Sequence, residues 1–367
     1  MKNTIRILHT EWSDGWGGQE IRILGEMIAL REKGVELFLA CRASAKISEK
    51  AHEQGFKVFI LPFKGNTDIQ TMLGLIKIIK KYKIDIVNTH SGKDTWVGGL
   101  AAKFAGAKFI RTRHLSNPIR NSRLNFINEL ADYIFTTGES VRTDMIENNR
   151  ISPSKIMSIP TGIDETIFNV SHFKREESRI SFNLEDEIVI GIVAVLRQFK
   201  RHDIFIKMAD KLLIKYPKKK LKFLIAGEGP QRKNIEKMIM QYGLEDKVLL
   251  LGHVKNVAMF LNAIDIFVLT SDSKEGVPQS VIQALMMEKP IVSTNAGSTG
   301  DLFYKNNFAL IDAKDSLDAL VKYVSKYIED DNRLVNASQK RAYIVKHFSK
   351  VSMSNKIYAV YKELLKK

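Results

Sequence analysis

Residues 5–31 read IRILHTEWSDGWGGQEIRILGEMIALR. The apolar run Ile5-Arg6-Ile7-Leu8 has the length and composition of a buried strand. From about residue 18 the apolar side chains take helical spacing, with Ile21, Leu24, Met27, Ile28 and Leu30 mainly on one face. Between them lies a loop with Trp12, Trp16 and three glycines, Gly15, Gly17 and Gly18. A strand, a glycine loop and a helix in that order form either a phosphate or sugar-phosphate site or a plain tight turn. The rest of the chain must separate the two.

The same alternation runs on. Strands are expected at 5–9, 35–40, 57–61, 84–89, 108–113, 133–137 and 155–159, with helices near 18–33, 68–82, 93–104, 121–131 and 140–149. Residues 162–187 then turn polar and make the best linker candidate. Beyond them come strands at 188–195, 221–226, 247–251, 266–270, 290–294 and 308–311. Helices follow near 202–216, 230–242, 278–288, 315–328, 331–346 and 352–366. Strands alternating with helices predict parallel sheets covered on both faces, so the chain reads as α/β with two doubly wound domains.

At 367 residues two domains are the natural division. No stretch approaches the roughly 20 apolar residues that span a bilayer; the longest run, Ile188 to Leu196, is broken by Gly191. Only a few residues precede the first strand, so no secretory leader is expected. The lone Cys41 excludes an internal disulfide and a zinc–cysteine cluster, and fits the cytoplasm. The net charge of +16 admits nucleic acid, an anionic membrane surface or acidic small molecules as partners. It is spread over both halves, and no helix-turn-helix, RRM or zinc-finger signature is present, so nucleic acid is not expected.

In open α/β sheets ligands lie beyond the carboxyl ends of the strands. Gly17 and Gly18 follow the first strand, His90 follows IDIVNT, His114 follows KFIRTR, and Gly138 and Glu139 follow YIFTT. In the second half Arg197 and Lys200 follow VIGIVAVL, GEGP (227–230) follows LKFLIA, and SDSKEGVP (271–278) follows DIFVLT. If the two domains face each other, these edges form one cleft. Some of these signals have plain structural readings: GEGP meets a turn and a helix start, and His90 also reads as an ordinary partly buried histidine. Arg111 and Arg113 are less ordinary, because a buried parallel strand does not favour two arginines on one face. The strongest stretch is EGVPQSVIQALMMEKPIVS (275–293). Pro278 suits a first helical turn, whose amides would face an anion. A carboxylate beside such a site, Glu275, points to hydroxyl donors such as a sugar's, and Gln283 can both donate and accept.

VLRQFKRHD (195–203), AGEGPQR (226–232), EGVPQSVIQAL (275–285) and PTGID (160–164) together resemble the retaining glycosyltransferases of family 4. The resemblance covers nearly the whole chain. It implies the GT-B fold: two Rossmann-like domains facing a central cleft. It also implies an acceptor-side domain at 1–165, a linker at 166–187, a nucleotide-sugar domain at 188–345, and a helix at 346–367 returning to the first domain. By the same resemblance Arg197 and Lys200 contact the donor diphosphate, and Glu275 accepts bonds from donor-sugar hydroxyls. The backbone at Gly276 and Val277 holds the diphosphate, and Gly17, Gly18, Gly227 and Gly229 lie against the donor. His114 matches a histidine near the reacting centre and is read as positioning, not as a base. His90, Lys93, Asp94 and Arg113 are acceptor-side candidates. Trp12 and Trp16 either face a sugar or pack the loop. Three departures from the family pattern stand out: Gln283 replaces the second acidic residue, Val195 replaces an arginine, and Arg201 replaces the glycine after the lysine. No Asp-x-Asp motif accompanies the site, so no metal and no further cofactor are expected.

The resemblance further implies a hexosyltransferase of the EC 2.4 class, taking a UDP- or GDP-sugar to a glycan or lipid-linked acceptor with retention. Lipopolysaccharide, capsule or other cell-surface polysaccharide synthesis is the expected setting. TDIQTMLGLIKIIKKYK (67–83) is amphipathic with a basic end; it either packs on its own sheet or lies on an anionic membrane at the cytoplasmic face. The competing activities are a nucleotide-sugar epimerase, a sugar phosphorylase, and a nucleotide-sugar-binding protein with a decayed site. A nicotinamide dehydrogenase is disfavoured, since no G-x-G-x-x-G follows the first strand.

Overall fold

The computed structural model describes residues 4–114, 119, 123–272, 275–303, 308–312, 316–330 and 336–366. They form two units, 1–162 with 350–367, and 163–349.

In the first unit seven strands are described: β1 (Arg6–Glu11), β2 (Glu36–Cys41), β3 (Lys57–Ile60), β4 (Ile86–Thr89), β5 (Lys108–Arg113), β6 (Tyr133–Thr136) and β7 (Ile156–Ser158). They are parallel, in the order β3-β2-β1-β4-β5-β6-β7. The order reverses between β1 and β4, and at such a switch point the connecting loops part. The flanking helices are α1 (Gly18–Arg31), α2 (Lys46–Glu53), α3 (Ile69–Tyr82), α4 (Gly92–Ala105) and α5 (Glu139–Glu147). In the second unit α6 (Arg175–Ile180) precedes the six described strands of its sheet. These are β8 (Ile188–Val193), β9 (Leu221–Ala226), β10 (Val248–Gly252), β11 (Ile266–Leu269), β12 (Ile291–Thr294) and β13 (Ala309–Ile311), in the order β10-β9-β8-β11-β12-β13. Helices α7 (His202–Lys215), α8 (Arg232–Gln241), α9 (Val257–Ala263), α10 (Gln279–Met286), α11 (Ser316–Glu329) and α12 (Ala337–Phe348) surround it. The last helix, α13 (Lys350–Lys366), belongs to the first unit, where Met353, Ile357, Val360 and Tyr361 pack into the core beside α1.

Both sheets are buried on both faces, which is why their strands read as apolar runs and not as alternating ones. In each unit the apolar side chains divide into two clusters, one per face.

Several expectations need correction. Residues 166–187 are not a linker. Ile163, Phe168 and Leu184 belong to the core of the second unit. Arg175 and Arg179 of α6 bind Asp265 at 2.8 and 3.5 Å. The polar composition arises because the short α6 presents mostly charge to water. The helix expected at 121–131 is a 3-10 turn at Arg123–Asn128, with 121 and 122 outside the described residues. The opening residues of the helices expected at 315–328 and 331–346, Asp315 and 331–335, also lie outside them. Helices α2 and α9 were not anticipated: KISEKAHE is mostly polar, and VAMFLNA is too short to show a period.

Candidate functional site

In the first unit, β1, β4 and β5 lie side by side, and their carboxyl ends bring three histidines into one row. His9 Nδ1 is 2.9 Å from His90 Nε2, and His90 Nδ1 is 3.0 Å from His114 Nε2. The rings of His9 and His90 lie within 13° of parallel. Burial holds all three below the ordinary imidazole pKa. His9 is pushed down to about 3; Arg22 adds to the effect at His90 and His114, with Arg113 also acting on His114. The row is therefore neutral at pH 7.

Asp94, expected on the acceptor side, is consumed within the protein. Its buried carboxylate accepts from Thr10 Oγ1 at 2.5 Å, His90 N–H at 3.0 Å and Ser91 N–H at 2.7 Å, closing a capping box at the start of α4. Glu11 lies close by. Burial, then the Asp94 charge, raise it to about 8 against the opposing bonds from Ser13 and Gln19. Lys93 sits over the Trp12 ring, with Nζ 3.7 Å from its centroid, and Arg42 also faces that ring at 5.4 Å. Trp12 therefore stacks cations, while Trp16 is exposed. Arg111 is buried, and burial lowers its pKa to about 9, with Arg113 acting in the same direction. Arg113 is partly exposed beside it.

Gly17 caps α1 in an extended conformation, φ −149°, and donates its N–H to Glu20 Oε2 at 2.8 Å. A Cβ there would meet that oxygen at 3.6 Å, an ordinary contact. Neither local strain nor crowding requires glycine at this position, and its amide already has a partner. Gly18 opens α1 beside it.

In the second unit the loop after β8 carries Arg197, which is exposed, and Lys200. Lys200 Nζ forms a close ion pair with Glu275 Oε1, and both side chains are largely buried. Ser271 Oγ donates to the same oxygen at 2.5 Å. Thr270 Oγ1 ties the carbonyl of Lys200 at 2.8 Å, and the Asp272 N–H ties that of Phe199 at 2.8 Å. The end of β11 thus clamps the loop after β8. Pro278 caps α10 without entering it, Gly276 precedes that cap, and Gln283 lies half-buried on the helix. The side chain of Val277 packs in the core. A concavity of about 650 Å³ opens beside Arg197, lined also by Phe199, Gln231, Asn234 and Asp272.

The glycines of GEGP act on the loop itself. Gly227 and Gly229 have φ of +154° and +158°; a Cβ would stand 1.9 Å from Ala194 O at the first and 2.6 Å from Leu196 O at the second. Leu196 N–H donates to Glu228 O at 2.9 Å, and Gln231 N–H to Leu196 O at 3.0 Å. Their observed role is to seat the strip bearing Arg197 and Lys200. Arg201 holds a left-handed conformation, φ 50°, where a glycine is favoured, and is bound twice by Asp203 at 2.9 Å.

Sequence reasoning missed His9, Glu11, Ser271 and Gly297. Gly297 has φ +57°, and a Cβ would fall 1.7 Å from Glu275 O, so glycine is what lets the β12 loop press on Glu275. The available signal was polar residues at the ends of apolar strands, HTE after IRIL and TSDS after IFVL. Among the described residues no group of three or more metal-ligating side chains is placed to hold an ion.

Two family models match the chain: Glycosyltransferase Family 4 over residues 16–166 and Glycosyl transferases group 1 over residues 173–344. A curated relative from Escherichia coli, UDP-Gal:alpha-D-GlcNAc-diphosphoundecaprenol alpha-1,3-galactosyltransferase, is 24% identical, covering 100% of this chain and 99% of that one. Among solved structures, a glycosyltransferase from Rickettsia africae superimposes with a TM-score of 0.90 at 20% identity, covering 100% of both chains. Anabaena Alr3699/HepE, solved in complex with UDP and glucose, gives 0.82 at 18% identity, covering 98% of this chain and 100% of that one. The fold is that of the GT-B enzymes, and the chain belongs to the family 4, group 1 glycosyltransferases.

Proposed function

We propose that this glycosyltransferase moves a hexosyl group from a UDP-sugar to a lipid-linked glycan acceptor, with retention of anomeric configuration, in cell-surface polysaccharide synthesis. The buried Lys200–Glu275 pair at the ends of β8 and β11 carries the reading. A lysine and a carboxylate held together at a parallel-sheet edge suit a ligand that is both anionic and rich in hydroxyls. The E. coli relative, by its name a UDP-Gal enzyme acting on a diphosphoundecaprenol-linked sugar, supports the donor and acceptor classes.

In the proposed reaction the bond from the sugar C1 to the diphosphate oxygen breaks, and a bond from C1 to an acceptor hydroxyl oxygen forms. Negative charge grows on the leaving diphosphate. Lys200 and Arg197 stabilise it there, and the stabilisation is strongest in the transition state. Glu275 Oε1 is shared by Lys200 and Ser271, and Oε2 accepts from a donor-sugar hydroxyl. Gln283 bonds the ribose in place of a carboxylate. On the first unit His114, with Arg113 and Lys93, holds ligand oxygens, and the donor phosphate takes the acceptor's proton.

The two cations do the work of a divalent metal, so transfer should survive chelation by EDTA. Peripheral attachment to an anionic membrane rests on α3. Its Thr71, Leu75 and Ile79 face the core, while Ile69 and Leu73 lie exposed on a helix whose last turn carries Lys80 and Lys81. No helix among the described residues is long and apolar enough to cross a membrane.

The test is transfer from a panel of UDP-, GDP-, ADP- and CMP-sugars to a polyprenyl-diphosphate GlcNAc acceptor, with the product's anomeric configuration read by NMR. Turnover with a UDP-sugar, giving the donor's own configuration and lost in Lys200→Ala, is expected. An inverted product, or activity only with another nucleotide, overturns the corresponding part.

A further inference from the structure

The row His9–His90–His114 contains more information than its distances. Three neutral imidazoles carry three protons on six nitrogens. The contacts at 2.9 and 3.0 Å each need one proton between two ring nitrogens. That uses two. The third must sit at one end of the row, on His9 Nε2 or on His114 Nδ1, and its place fixes the direction of both bonds.

The two ends differ. His9 is fully buried, and its Nε2 has no hydrogen-bond partner among the described residues. His114 is partly exposed at the open end of β5. A proton on His9 Nε2 would be a buried donor with nothing to receive it, whereas an unshared lone pair there is the smaller cost. Arg22 and Arg113 stand near the row, so a fourth proton, which would make it cationic, is disfavoured.

We infer that His9 and His90 are positioning residues: His9 Nδ1–H donates to His90 Nε2, His90 Nδ1–H donates to His114 Nε2, and His114 presents an N–H at Nδ1. A ligand oxygen beside His114 then meets a donor and no lone pair. For His114 to act as a base, both bonds would have to reverse and an N–H would be stranded on His9. The row thereby gives a physical reason for His114 to hold and polarise. This deepens the proposed function and rests on it for the ligand; the proton placement rests only on the geometry.

The experiment uses the full chain labelled with 15N-histidine. Two-bond nitrogen–carbon-proton correlations at pH 7 report which nitrogen of each ring carries the proton. In the wild-type protein His114 should be protonated on Nδ1 alone. His9→Asn keeps a donor in place of His9 Nδ1 and should keep this pattern. His9→Asp offers only an acceptor, so it should reverse the row and move the proton to His114 Nε2. Transfer activity should then fall on the order of 10- to 100-fold in His9→Asp, in kcat more than in KM, and be rescued in His9→Asn. Thermal melts confirm that both variants fold. Protonation of His114 at Nε2 in the wild-type protein, or an unchanged pattern in a folded His9→Asp, overturns the proton placement. A reversed row with full activity overturns its role in positioning. The predicted pattern without transfer from any donor would sink the proposed function and leave the proton placement standing.

Discussion

The two sheet edges solve opposite electrostatic problems. At the ends of β1, β4 and β5 the histidines are kept neutral and pass hydrogen bonds along a row, and Glu11 is raised to about 8. At the ends of β8 and β11 the groups form an ion pair, Lys200 with Glu275. A neutral, directional row suits hydroxyl groups, where proton placement decides a bond. A paired ion suits a phosphate, which can draw the cation from its partner. Under the proposed function the first edge takes the acceptor and the second the donor.

The largest expected effect breaks the ionic edge. Lys200→Ala leaves Glu275 buried without its cation and should cost about 3–5 kcal/mol of stability in the second unit. Transfer should fall on the order of 10²–10³-fold, measured as kcat/KM alongside a thermal melt. Retained activity would remove the diphosphate assignment. Next comes the neutral edge. His114→Ala should lower kcat on the order of 10²-fold and lower the melting temperature modestly, because it leaves the His90 Nδ1–H without its acceptor at a partly exposed position. A steep melting loss instead would make the row structural only.

A smaller effect appears in the pH dependence of unfolding. Glu11 has a folded pKa of about 8 against an ordinary 4.5, so the folded state holds a proton that the unfolded chain releases. Its contribution is full below pH 4.5 and is lost as the pH rises towards 8. His9 acts oppositely. It is held down to about 3 from 6.5, so stability falls as the pH drops below 6.5. Glu11→Gln should therefore raise the melting temperature at pH 8.5 and change it little at pH 4.5, by calorimetry at both values. Equal shifts at both would detach Glu11 from this account. The smallest effect is at Arg201. Arg201→Gly relieves a left-handed arginine and loses a half-exposed pairing with Asp203, for a net gain of about 1 kcal/mol or less in urea unfolding.

The alternation of strands and helices was legible because a strand buried on both faces must be apolar throughout, as in IVIGIV and IFVL. The edges that carry the site followed from the same argument, since residues placed after a strand lie at its carboxyl end. What each residue touches was hidden. Nothing in the sequence brings His9 to His90, 81 positions away; the pairing of β1 with β4 does that. Gly227 and Gly229 announced an unusual backbone, but not that its cause is the carbonyls of Ala194 and Leu196. Asp94 looked available because a capping box and a ligand contact require the same residue type at the same place.

The helix α13 also bears on synthesis. The second unit is one continuous stretch, 163–349, whereas the first is interrupted by it and completed only by α13. Throughout synthesis the earlier-made sheet lacks Tyr361, which hydrogen-bonds Glu26 at 3.4 Å beneath β4. The unit translated first therefore cannot close before α13 is made. A chain stalled before residue 350 would leave the core of the first unit open to chaperones and proteases.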